Sequence, residues 1–96
     1  MVGVRRTDVF AGWIAKLRDD RAAAKIAIRL KRVALGHFGD CEPVGEGVSE
    51  MRIPYGPGYR VYFVQRGAAL VVLLAGGDKR TQDRDIETAC ALAREL

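Results

Sequence analysis

Leu70-Val71-Val72-Leu73-Leu74-Ala75 is apolar at six successive positions. A run of that length between turn signals reads as a strand covered on both faces, because water-facing positions would otherwise be polar. Gln65-Arg66-Gly67 before it and Gly76-Gly77-Asp78 after it supply the turns. The run is strand-length and far too short to span a bilayer. It is expected to be the central strand of a sheet. With 96 residues the chain makes a single domain, 1–96, with no room for a separate substrate domain.

What covers the sheet is legible upstream. Val2 and Val4 suggest a short first strand. Thr7 is placed to cap a helix, with Asp8 in its first turn, where the helix dipole favours a negative charge. Phe10, Trp13, Ile14 and Leu17 follow with helical spacing, and Trp13 reads as core. Asp19 and Asp20 interrupt that helix and cap a second, striped by Ala22, Ile26, Leu30 and Val33 and stopped at Gly36. Lys25, Arg29, Lys31 and Arg32 read as the solvated face of this second helix. Residues 36–47, with four glycines and Pro43, read as a loop.

Beyond it the period changes from helical to two. Val48–Ile53 and Tyr59–Gln65 read as strands around the turn Pro54-Tyr55-Gly56-Pro57-Gly58. Thr81 or Asp83 caps a last helix that carries Ile86, Ala89, Cys90 and Ala93 on one side. The predicted order is β-α-α-β-β-β-α. Alternation puts Met51 and Ile53 on one face and Glu50 and Arg52 on the other; Val61 and Phe63 likewise oppose Arg60 and Tyr62. If the apolar sets face the helices, Arg52, Arg60, Tyr62 and Glu50 meet on an uncovered side. Two arginines on adjacent strands repel unless an anion lies between them. Glu50 can be that anion, and so can a phosphate. Both readings stand at this level.

The charge balance, +4 with a pI near 9.4, favours nucleic acid or an acidic partner. Arg52, Arg60 and Lys79 are the side chains that hold phosphate. Cleavage of RNA can use the substrate's own 2′-hydroxyl as nucleophile, leaving the protein positioning, charge stabilisation and proton transfer. Lys79, Tyr55, Tyr62, Asp78 and Asp83 are the candidates for proton transfer. Gln82 can bond a base or ribose, and Tyr55 can stack on a base or lie over the core. His37 stands alone in the glycine loop, so no histidine pair exists. Cys41 and Cys90 lie in no metal or redox spacing and read as two buried thiols. No cofactor and no metal site is expected. The N-terminus has no apolar signal core, and a cytoplasmic location is the expectation.

The segments Leu35–Asp40, Pro43–Ile53, Tyr55–Phe63 and Gly76–Ile86 resemble the addiction module killer protein group of the RelE/HigB/ParE superfamily of bacterial type II toxins. The resemblance covers essentially the whole chain. Its most specific parts are Gly58-Tyr59-Arg60 and Gly76-Gly77-Asp78-Lys79-Arg80-Thr81-Gln82. It implies an α+β, RelE-like fold: a helical hairpin packed on a small, mostly antiparallel sheet, with a C-terminal helix. It implies a toxin that cleaves mRNA, ribosome-dependent in the best-known members, and is neutralised by a cognate helix-turn-helix (HigA-like) antitoxin. Arg60 and Arg52 carry over as holders of the scissile phosphate, and Lys79 and Arg80 match the basic residues after the last core strand. The resulting assignment has Arg60, Arg52, Lys79 and Asp83 as catalytic residues, with Arg80, Tyr55, Tyr62 and Gln82 binding RNA. The family's strand-two lysines, its C-terminal tyrosine and the histidines of some HigB toxins have no counterparts here, so its acid and base do not carry over. A gyrase-binding toxin of the ParE kind and a degenerate toxin that only binds its antitoxin are the alternatives.

Overall fold

In the computed structural model, which describes residues 1–96, one five-stranded mixed sheet organises the chain. Its strands are β1 (Gly3–Arg6), β2 (Cys41–Gly45), β3 (Val48–Ile53), β4 (Tyr59–Arg66) and β5 (Leu70–Gly77), in spatial order β1-β5-β4-β3-β2. β1 runs parallel to β5, and the other pairings are antiparallel. Three helices cover it: α1 (Asp8–Lys16), α2 (Asp20–Ala34) and α3 (Gln82–Arg94). None is long and apolar enough to cross a membrane.

The hairpin forms where capping chemistry places it. Thr7 Oγ1 accepts from the Phe10 N–H at 3.1 Å, and Asp19 Oδ1 accepts from the Ala22 N–H at 3.0 Å. At the end of α2 the N–H of His37 reaches the Arg32 carbonyl and that of Gly36 the Val33 carbonyl, a Schellman closure. It requires the left-handed φ of +89° that Gly36 adopts without penalty.

Two expectations about the sheet change. The region read as a loop contains the edge strand β2, so the order is β-α-α-β-β-β-β-α. Pro43 is tolerated there because an edge strand has a side with no ladder bond to donate. Glu46 and Gly47, at φ +54° and +79°, make the two-residue turn into β3 with the primed geometry that suits strand twist. The run Leu70–Ala75 is indeed buried from both sides, but it lies beside the middle strand, which is β4.

The two faces of the sheet carry separate cores. Against α1 and α2 lie Met51, Ile53, Val61, Phe63, Val71 and Leu73, with Phe10, Ile26 and Val33 from the helices. Against α3 lie Val48, Tyr62, Val64, Val72, Leu74 and Ala75, with Ala89, Cys90 and Ala93. The side expected to be uncovered is therefore closed by α3. The cause is the apolar side of that helix, which needs a partner surface as much as the hairpin does. Between Tyr62 and Phe63 on β4 the register with β5 slips from Ala75 to Leu73, so Leu74 is an extra, bulged residue. The bulge reverses the parity of β5 beyond it. Gly76 then faces Trp13 of the hairpin, and Gly77 faces Asp85 of α3.

Candidate functional site

The register of β3, β4 and β5 sets Arg52, Arg60 and Gly77 side by side, and the adjacent row is Glu50, Tyr62 and Ala75. The two arginines thus meet on one face, as alternation predicts. Glu50 fills the space between them. Its carboxylate lies 3.4 Å from Arg60 Nε and 3.6 Å from Arg52 Nε, and it accepts a hydrogen bond of 2.8 Å from Gln82 Nε2. Its side chain is only 4% exposed, so these partners make its charge tolerable away from water. Arg52 also pairs with Glu42 of β2, directly across from Glu50. Arg60 further donates from Nη1 to the Gly58 carbonyl at 2.8 Å.

Glycines shape this end of the sheet. A Cβ on Gly77 would lie 1.8 Å from Asp85 Oδ2 and 2.8 Å from Thr81 Oγ1, so only a bare residue lets α3 approach β5 here. Asp85, itself buried, accepts from the Thr81 hydroxyl at 2.5 Å. Gly58, at φ +81°, stands where a side chain would meet Arg60 Nη1 at 3.2 Å and Lys79 Cβ at 3.6 Å. Gly58 thus lets the backbone of Lys79 pack close to the Arg60 guanidinium, and the Lys79 N–H reaches the Pro57 carbonyl at 3.4 Å. Arg29, read as part of a solvated face, instead donates to the Arg52 carbonyl at 2.6 Å and to that of Phe38 at 3.2 Å. It anchors the backbone that carries Arg52.

The start of α3 differs from expectation. Asp78 caps a single 3-10 turn, Lys79–Thr81, accepting from the Arg80 N–H at 2.8 Å and from its guanidinium at 2.9 Å. Thr81 holds the N-cap position of α3 but spends its hydroxyl on Asp85, and Asp83 is an exposed first-turn residue. Lys79, Arg80, Gln82 and Asp83 line one concavity of about 360 Å³ with Thr81 and Arg84. Gln82 joins that concavity to Glu50.

Two assigned RNA-binding residues lie elsewhere. Tyr62 is fully buried beneath α3 and cannot stack on a base. Tyr55 packs toward the hairpin core with Lys25 Nζ 5.2 Å above its ring, in a separate concavity of about 350 Å³ with Arg29 and Arg32. Burial pushes the phenols of Tyr59 and Tyr62 upward, Tyr62 strongly so and further through the negative Glu50, so neither yields a phenolate near neutral pH. The guanidinium of Arg80 holds the Asp78 carboxyl below the usual range. Trp13 lies in the hairpin core as read, 5.8 Å from Phe10 and 6.4 Å from Tyr59. His37 is exposed, and both cysteines are free thiols, Cys90 buried and Cys41 half-buried.

Sequence reasoning missed Asp85, Glu42 and the use of the Thr81 hydroxyl on Asp85. Thr81 and Asp85 are one helical turn apart, and the consecutive glycines at 76 and 77 mark a close approach; nothing local to Glu42 distinguishes it from a loop residue. The chain is 48% identical over 95 residues to an uncharacterized protein of Haemophilus influenzae, a match covering 99% of this chain and 96% of the relative. No protein-family model matches.

Proposed function

The chain belongs to the family of that Haemophilus influenzae protein, and we propose that it is a toxin of the RelE/HigB/ParE kind that acts in the cytoplasm on the phosphodiester backbone of translated mRNA. The observation that carries the reading is the apposition of Arg52 and Arg60 on adjacent strands, with Lys79 held beside Arg60 at the open end of the sheet. The helical hairpin, the mostly antiparallel sheet and the C-terminal helix agree with the coarse architecture that the resemblance implies, to which β2 adds a strand. The substrate's 2′-hydroxyl attacks the adjacent phosphorus, the bond to the 5′-oxygen of the next nucleotide breaks, that oxygen takes a proton from water, and a 2′,3′-cyclic phosphate remains. Arg52 and Arg60 stabilise the charge on the phosphorane oxygens. Lys79, exposed, contacts the neighbouring phosphate backbone. Arg80 and Gln82 contact the RNA from the concavity that also holds Asp83, the carboxylate available to take the 2′-hydroxyl proton. A cognate helix-turn-helix antitoxin and the ribosome are its partners in this reading.

Primer extension on translated mRNA, before and after induction, tests it. New 5′ ends should appear with the wild-type chain and disappear with Arg60→Ala. Undiminished cleavage by a folded Arg60→Ala chain would sink the role given to that arginine. A second reading is favoured by one observation: Glu50 and Glu42 already neutralise the two arginines. A toxin so neutralised would bind a protein target, such as gyrase, or only its antitoxin. Inhibition of DNA synthesis before protein synthesis identifies the first of these, and harmless expression without an antitoxin the second.

A further inference from the structure

The carboxylate of Glu50 faces several donors in a buried space. Arg52 Nε, Arg60 Nε and the Tyr62 hydroxyl are buried atoms without a hydrogen-bond acceptor. The two guanidinium nitrogens face Glu50 at ion-pair distance, 3.4 and 3.6 Å, and only Gln82 makes a hydrogen bond to it at ordinary length. Buried donors without acceptors are rare, because each has given up water and received nothing in return. A two-oxygen carboxylate stretched between two forked cations leaves donors over. A phosphate, with more acceptor oxygens and the geometry that guanidinium forks match, satisfies them better.

There is also somewhere for Glu50 to go. Tyr62 stands directly opposite it on β4, buried, protonated and close to the carboxylate but without a hydrogen bond of ordinary geometry to it, and Gln82 already holds one carboxylate oxygen. The arginines are reachable from the other direction. Arg52 is about a third exposed, and Arg60 Nη1 points to the Gly58 end, beside exposed Lys79. We infer that Glu50 is a displaceable occupant of a phosphate site. An RNA phosphate takes Arg52 and Arg60 from it, and the released carboxylate turns onto Tyr62 and Gln82. The inference rests on the RNA-directed reading for the identity of the ligand. It makes binding at this site competitive with the protein's own carboxylate.

The test is a titration of the full chain with inorganic phosphate, followed through the Nε–H resonances of its arginines and the side-chain amides of its glutamines. In the wild type the Nε–H signals of Arg60 and Arg52 and the Gln82 amide should shift together along one binding curve. Glu50→Gln removes the competing charge and should bind phosphate about tenfold more tightly or better, since a like charge facing a bound anion is strongly unfavourable. Glu42→Gln, at an exposed position, should change binding much less. Phosphate that leaves the arginine signals unmoved at any concentration overturns the inference. So does a shift of Arg60 without Gln82, a result that requires no variant to fold. A folded Glu50→Gln chain that binds no more tightly overturns it as well. If phosphate displaces Glu50 while translated mRNA stays intact, the nuclease reading fails and the displaceable carboxylate stands. If mRNA is cleaved while Glu50→Gln gains no affinity, the reverse holds.

Discussion

Beneath the helical hairpin the buried side chains of β3, β4 and β5 are all apolar, from Met51 and Ile53 through Val61 and Phe63 to Val71 and Leu73. Beneath α3 the same strands begin apolar, at Val48, Val64 and Val72, and turn polar toward one end, where Glu50, Arg60, Arg52 and Gln82 meet. The aliphatic part of the hairpin face tolerates volume-conserving exchanges, because dispersion and water exclusion are non-directional, and its tight point is Gly76 against Trp13. The α3 face depends on particular atoms at particular distances. A small domain with two covered faces can thus assign stability to one and chemistry to the other. The bulge at Leu74 sets where the second begins, since it turns Gly77 toward α3.

Truncation on the hairpin face is the harshest way to probe this division. Phe63, 4% exposed and stacked on Phe38 at a centroid distance of 5.6 Å, has little room to relax around a loss. Phe63→Ala should cost about 3–5 kcal/mol, read as a fall in the urea midpoint. A cost below about 1 kcal/mol, within the range of surface substitutions, would show that the hairpin face is not the stabilising one.

The α3 face should answer to a change that adds one carbon. Gly77→Ala forces a Cβ into Asp85 and should cost about 1–3 kcal/mol, an overpacking penalty that moves α3, and Gln82 with it, away from Arg60 and Glu50. Gly77→Ala combined with Asp85→Ala should cost clearly less than the sum of the two single losses, because the second change removes the clash made by the first. Strict additivity in that cycle would mean that the Gly77–Asp85 approach does not set the position of α3.

The same contrast explains what was legible in the chain before its structure. Hairpin features are local: Thr7, Asp19 and Gly36 each declare a helix end within four residues, and all three act as read. Alternation sorted β3 and β4 correctly for a similar reason, since parity needs only neighbours. β2 was hidden because Pro43 and Gly45 are loop residues by composition, and only the pairing partner β3 makes them a strand. The covering of Tyr62 and Glu50 by α3 depends on residues about thirty positions away, which no local pattern encodes. Arg29 illustrates the same limit: its spacing is that of a solvated stripe, and its carbonyl partners at 38 and 52 are supplied by the fold.

The gentlest probe is acid. Arg80's guanidinium holds the Asp78 carboxyl below its ordinary range in the folded chain. In the unfolded chain that contact is gone and the group titrates near its usual value, about 4. A depressed folded-state value contributes stability that is present above the unfolded value and is lost as pH falls through the folded one. Arg80 is exposed, so water and salt screen the pair and keep the contribution small. Asp78→Asn keeps a side chain that caps the 3-10 turn and removes the charge. Its urea midpoint should lie slightly below that of the wild type at pH 7, and the two should converge as pH falls below about 4. A gap that persists undiminished in acid would locate the effect in capping geometry, leaving the turn that presents Lys79 indifferent to the ion pair beside it.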